Sequence, residues 1–192
     1  MKRFLICMTL FLVPLVLSAA KPKTHQFSAD QVTVAQGRTV TGKFYSNTDR
    51  TRIEMNMGGH SMINIVRRDK QVIWMIQPEQ KSYMEMPIKP QDQPSPFDAA
   101  VDYNYTLIGP DTVDGHACKK YHFSATVNGK AYTGFHWLAG DLQDMPIQWS
   151  DEDGKYVTTL KNVKLGPSPA ALFELPAGYT KTDIGSMMQH RK

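Results

Sequence analysis

The chain has 192 residues, 41% of them hydrophobic and 21% charged, with a formal net charge of +4. That size suits one domain with a real core once a leader is set aside. The mild charge, spread along the chain, lacks the clustered basic stripe that nucleic-acid binding needs, so nucleic acid is not an expected partner.

Lys2 and Arg3 precede an apolar run from Phe4 to Leu17, and Ser18-Ala19-Ala20 supplies small residues for a cut. The order is that of a secretory signal peptide over residues 1–20, and the run is short for a membrane span. Residues 21–192 are then read as one domain, secreted by a cleaved leader and most simply periplasmic. Removing Lys2 and Arg3 lowers the formal charge to 4 − 2 = +2. Cys118 is the single cysteine left after such a cut. It has no internal disulfide partner, and the expectation is a buried, inert side chain.

From residue 27 the chain reads as strands and turns. "FSADQVTVAQ", "RTVTGKFYSN", "RTRIEMNM", "MINIVRR", "QVIWMIQ" and "SYMEMP" are strand-length runs rich in β-branched, aromatic or alternating apolar residues. Gly, Asp, Asn or Pro stand between them, and connections this short force antiparallel neighbours. Residues 87–102 carry Pro87, Pro90, Pro94 and Pro96. Regular structure is disfavoured there, and a crossing loop or lid is expected. The meander resumes at "YTLIG" and continues through "HACKKYHFSATVNGKAYTGFHWLA", where Asn128-Gly129 signals a tight hairpin. "MPIQWSD" and "KYVTTLKNVKLG" are the last long strands, and "PSPAALFELPAGYTK" reads as a short apolar turn with an extended end.

Alternation assigns one apolar face to each strand. Ile53, Met55 and Met57 share a face, as do Val72, Trp74 and Ile76; Tyr121 and Phe123; Phe135 and Trp137; and Ile147 and Trp149. No long amphipathic helix is present to cover such a surface. A mainly β fold follows, either a sandwich or one strongly coiled antiparallel sheet. The coiled sheet is preferred, as a half-barrel with a short helix or loop as plug. Its hollow is expected to be lined by Ile53, Met55, Met57, Val72, Trp74, Ile76, Tyr121, Phe123, Phe135, Trp137 and Trp149. Arg50 and Arg52 are placed at the rim, facing a ligand head group or simply water.

Two metal sets deserve weighing. Met55, Met57, His60 and Met62 offer soft ligands suited to copper(I), although methionine also recurs at Met75, Met84, Met86 and Met145 as a general lining would. His116, Cys118 and His122 share a strand parity, but the ends of that set stand about 20 Å apart on an extended strand. No metal or other cofactor is therefore expected. No nucleophile, base and orienting group appear together, so an enzyme is the least supported class.

"FSADQVTV", "GRTVTGKFYSNTDRTRIEMNMGG", "MINIVRRDKQVIWMIQPEQKSYMEMP", "GPDTVDGHACKKYHFSA" and "PSPAALFELPAGYTK" together resemble an uncharacterised branch of the periplasmic outer-membrane lipoprotein-sorting carrier superfamily. The resemblance spans nearly all of residues 21–192. It implies a coiled half-barrel whose concavity takes acyl chains. The function expected from it is a periplasmic binding or carrier module for a lipid acyl chain or other apolar ligand, with a lipoprotein or envelope protein as a further partner. A methionine-rich copper(I) protein and a ligand-free structural domain are the alternatives.

Overall fold

Three two-residue turns show how the chain dictates its own pairing. Gln36-Gly37, Asp114-Gly115 and Asn128-Gly129 all adopt positive φ, the backbone of tight hairpins whose twist matches the strands they join. A computed structural model describes residues 25–57, 59–89, 95–97 and 101–183. The proposed signal peptide, residues 1–20, lies outside the described residues.

The strands are β1 (Phe27–Ala35), β2 (Arg38–Asn47), β3 (Arg50–Met57), β4 (His60–Arg67), β5 (Val72–Gln77), β6 (Ser82–Pro87), β7 (Asn104–Val113), β8 (His116–Val127), β9 (Lys130–Ala139), β10 (Met145–Asp151), β11 (Tyr156–Leu165) and β12 (Thr180–Lys181). They form one sheet in the order β12-β6-β5-β4-β3-β2-β1-β11-β10-β9-β8-β7. All pairs are antiparallel except β12 with β6. The two end strands do not meet, so the expected mainly β half-barrel is the observed fold.

Curvature follows from what touches what. Ile53 on β3 and Phe123 on β8 line a common cavity, yet they stand six strands apart in sheet order. A flat sheet would separate them by about 29 Å at 4.8 Å per strand. The face carrying them is therefore concave. Two glycines mark how tightly the sheet bends there. A Cβ on Gly42 would stand 1.9 Å from the carbonyl oxygen of Glu54, and one on Gly134 would stand 2.2 Å from that of Ser150. Both positions need a residue without a side chain.

Both faces are covered, each by a different device. On the concave face Phe27, Ala29, Phe44 and Leu160 are buried, with Ile53, Phe97 and Trp149 packed against them. Phe97 belongs to the segment between β6 and β7, strands at opposite ends of the sheet, so that segment passes from one end to the other. The Phe97 ring lies 5.3 to 5.6 Å from those of Phe27, Phe44 and Trp149. On the convex face Ile65, Trp74 and Ile76 are buried beneath Phe173, Leu172, Leu175 and Tyr179 of the C-terminal segment. Arg67, 2% exposed, clasps that segment. It donates to both Asp69 oxygens and to the Phe173 carbonyl, and it pairs with Glu174. β7 carries a register shift between Leu107 and Gly109 and pairs with β8 alone among the described strands.

Candidate functional site

Register decides which predicted lining residues meet. In the ladder Phe44 stands opposite Ile53 and Gly42 opposite Met55, while Trp149 stands opposite His136 and Tyr121 opposite His136 on the other side. Ile53, Met55, Tyr121, Phe123 and Trp149 thus share the concave face. Val72, Trp74 and Ile76 do not. Ile53 pairs with Asn64, and Ile65, one position along, pairs with Trp74. These three occupy the convex face under the C-terminal segment, where Trp74 Nε1 donates to Glu85. Phe135 and Trp137 also point away from the concavity. Their rings flank Lys120, whose Nζ lies 4.5 and 4.6 Å from the two centroids, and Trp137 Nε1 donates to Asp111 at 2.7 Å. Met57 closes the β3–β4 ladder opposite His60.

The expected arginine rim is also corrected. Arg52 lies on the convex side, 9% exposed, donating to Glu54 and to the Leu172 carbonyl. Arg50 reaches Asp69 at 3.4 Å. Both serve the C-terminal clasp, because the strand parity that puts Ile53 inside puts them outside.

The concave cavity holds about 430 Å³. Ile53, Phe123 and Trp149 line it, and Phe44, Tyr132 and His136 join them. Sequence reasoning missed these three. Tyr132 and His136 share a parity with Gly134, and a glycine inside a strand signals close approach of another chain segment. That was the available clue in "YTGFHW".

His136 is the cavity's main polar group. It is 2% exposed, and its Nδ1 stands 2.8 Å from the Tyr105 hydroxyl. Its ring lies 4.3 Å from Phe123 and 5.1 Å from Tyr103. Burial pulls its pKa down to about 3, so the imidazole is neutral at ordinary pH. Burial likewise pushes the Tyr105 phenol up. Gln31 adds an amide that donates to Thr33, leaving Oε1 buried without a hydrogen-bond partner among the described residues. Asp151, the acid on this wall, accepts from the Tyr156 N–H. The surface is largely aromatic, with Asp151 as its one ionisable acid, and is able to hold apolar matter with a few fixed polar contacts.

A second hollow of about 640 Å³ lies among Asp30, Lys43, Glu54, Lys161 and Asn162. Its charges answer one another, as in the Lys43–Asp30 pair, and Val32, Met55, Met62 and Ile63 line it beside them. The histidine–cysteine set is dispersed. His116 pairs with Asp141 and His122 with Glu152, whereas Cys118 is buried. Among the described residues no three His, Cys, Asp or Glu side chains gather as a metal set.

Residues 31–149 match the family described as a domain of unknown function (DUF4412). The match covers more than half of the chain, and the chain belongs to that family. No curated protein matches it significantly. An uncharacterized conserved protein from Thermus thermophilus is similar in structure, with a TM-score of 0.56 and 14% identity over 83% of this chain and 90% of that one. MucB in complex with MucA(peri) gives 0.49 at 16% identity, covering 83% of this chain and 57% of MucB. LprF from Mycobacterium bovis gives 0.42 at 14% identity, covering 80% and 90%. The Thermus protein shares the fold.

Proposed function

We propose that this member of the DUF4412 family is an extracytoplasmic binding module that holds an acyl chain or comparable apolar ligand in its concave cavity. One observation carries the reading: a hollow of about 430 Å³ with an aromatic wall and a single acid, Asp151, lies on a sheet that no helix among the described residues covers. That volume falls within the roughly 300–1,000 Å³ typical of small-ligand pockets. Binding would draw on apolar burial at about 25 cal/mol per Å² before the costs of association. His136 and Gln31 would orient a polar end. The leader-like start supports a place in the envelope, where a lipid, a lipoprotein or another envelope protein would be the partner.

The test is native mass spectrometry of protein purified without detergent, followed by delipidation and a palmitate titration read by tryptophan fluorescence. A bound lipid mass and saturable quenching are expected. Ile53→Trp, which fills the cavity, should weaken palmitate by at least about tenfold, equivalent to 1.4 kcal/mol. Absence of lipid mass together with no palmitate uptake would refute the proposal.

A further inference from the structure

Each neighbour of Gln31 on the concave face denies its amide oxygen a donor. Along β1 the residues of the same parity are Ala29 and Thr33. Across the ladders Gln31 faces Gly42 on β2 and Leu160 on β11. Ala29 and Leu160 are apolar. Position 42 admits nothing larger than glycine, because a Cβ there would stand 1.9 Å from the Glu54 carbonyl oxygen. Thr33 accepts the Gln31 amide N–H at 3.1 Å, and its hydroxyl is engaged with that of Thr158 at 2.9 Å. The amide is held by this chain, and its Oε1 is left buried without a partner among the described residues.

Folded proteins rarely leave a buried acceptor unmet, and each exception calls for a cause. Here the cause lies in what the residue adjoins. Gln31 lines the hollow of about 430 Å³ together with Phe44 and Ile53. No lysine or arginine lines it among the described residues, so a carboxylate has no cation to meet inside. Asp151, its one acid, stands on β10, two strands from β1 in the sheet. An ammonium group beside Gln31 would give up its hydration for one neutral oxygen, at a large cost. A hydroxyl brings a single proton for a single acceptor. The last torsion of glutamine is soft, so Oε1 turns toward a donor entering the hollow without any movement of the strand.

We propose that Gln31 is the specificity-determining residue of the hollow, and that the chain it selects carries a hydroxyl group where it passes Gln31. The inference rests on the acyl-chain reading and refines it, naming a hydroxylated acyl chain in place of a plain one. An oxo group at the same carbon accepts but does not donate, so Gln31 gives it no advantage.

The experiment titrates delipidated protein with palmitate, with hydroxypalmitates whose hydroxyl stands at successive carbons, and with the matching oxopalmitates, read by tryptophan fluorescence. At one or two adjacent carbons the hydroxyl should tighten binding about five- to tenfold over palmitate, and the oxo group there should give no gain. In protein labelled at its glutamine amides, the Gln31 side-chain signal should move further with that hydroxypalmitate than with palmitate. Gln31→Leu removes the acceptor at similar size. It should erase the hydroxyl advantage while palmitate binds as before, a split that a merely structural loss would not produce. The proposal is overturned if no hydroxypalmitate outbinds palmitate, if an oxopalmitate gains as much, or if the advantage survives in Gln31→Leu. The first two comparisons use only the parent protein, so they decide even where the variant fails to fold. Palmitate uptake without a hydroxyl gain overturns this inference alone, whereas no uptake of any chain overturns the acyl-chain reading with it.

Discussion

Replacing Arg67 by methionine should cost about 3 kcal/mol of stability, a figure that follows from its surroundings. The guanidinium is 3% exposed and holds two acids, Asp69 at 2.7 Å and Glu174 at 2.7 Å, whose side chains are 30% and 46% exposed. It also satisfies the Phe173 carbonyl at 3.0 Å. Breaking a fully buried pair costs about 3–5 kcal/mol. Here the released acids regain water, which brings the expectation to the lower end, and methionine retains much of the packing against Trp74. At about 2–4 °C per kcal/mol for a chain of this size, the melting temperature should fall by about 6–12 °C. Hydrogen exchange should open residues 170–175 before the β-ladder. Arg50→Met, which removes one partly exposed contact at 3.4 Å, should cost no more than about 1 kcal/mol. The acid limb gives a second reading. Hydrogen bonds from Arg67, aided by its charge, hold the Asp69 carboxyl at about 2. Its folded pKa is thus depressed, so its contribution is complete above the unfolded value near 3.9 and disappears as pH falls through about 2. That part of the acid sensitivity should be absent from Arg67→Met. Equal melting losses for the two arginine variants, or a loss below about 2 °C for Arg67→Met, would refute the clasp.

Three further outcomes are expected. His136, held neutral by burial with a pKa of about 3, takes up a proton on unfolding below its ordinary value of about 6.5, so stability should fall by up to about 1.4 kcal/mol per pH unit between about pH 6.5 and 4.5; urea midpoints of His136→Phe should lack this slope. Gly134→Ala places a methyl group 2.2 Å from the Ser150 carbonyl oxygen and 2.9 Å from the Phe123 ring, so it should cost about 1–3 kcal/mol in the same assay, whereas Gly140→Ala, with nothing within 4 Å, should stay within about 0.5 kcal/mol. Cys118, 4% exposed and with its thiol pKa raised by burial, should resist iodoacetamide until urea unfolds the protein.

How much of this was legible in the chain depends on the distance over which each feature is decided. Strands and tight turns are local, and Asn128-Gly129 or Asp114-Gly115 carry their own instructions. That Val72, Trp74 and Ile76 share a face is equally local. Which face they share depends on the register with β4 across a turn, and alternation alone does not settle it. The assumption of one greasy side failed for a specific reason. Leu172, Phe173 and Leu175 dock on the convex surface, so the sheet needs apolar residues on both sides. Nothing in "PSPAALFELPAGYTK" announces the arginines that receive it, since Arg67 stands more than a hundred positions earlier in the sequence. Met75 and Met84, separate in the sequence, face each other only through the β5–β6 pairing. His136 gave no local signal, because Tyr105 reaches it only through the β8 pairing.

A sheet that never closes leaves two borders: the two-residue β12 at one end and β7 at the other. On β7 the step out of register after Leu107 and the missing amide hydrogen at Pro110 interrupt the row of donors that a newcomer would need. A second copy arriving there finds a few bonds and then a gap. Despite the exposed Leu107 and Ile108, strand addition along β7 is thereby disfavoured.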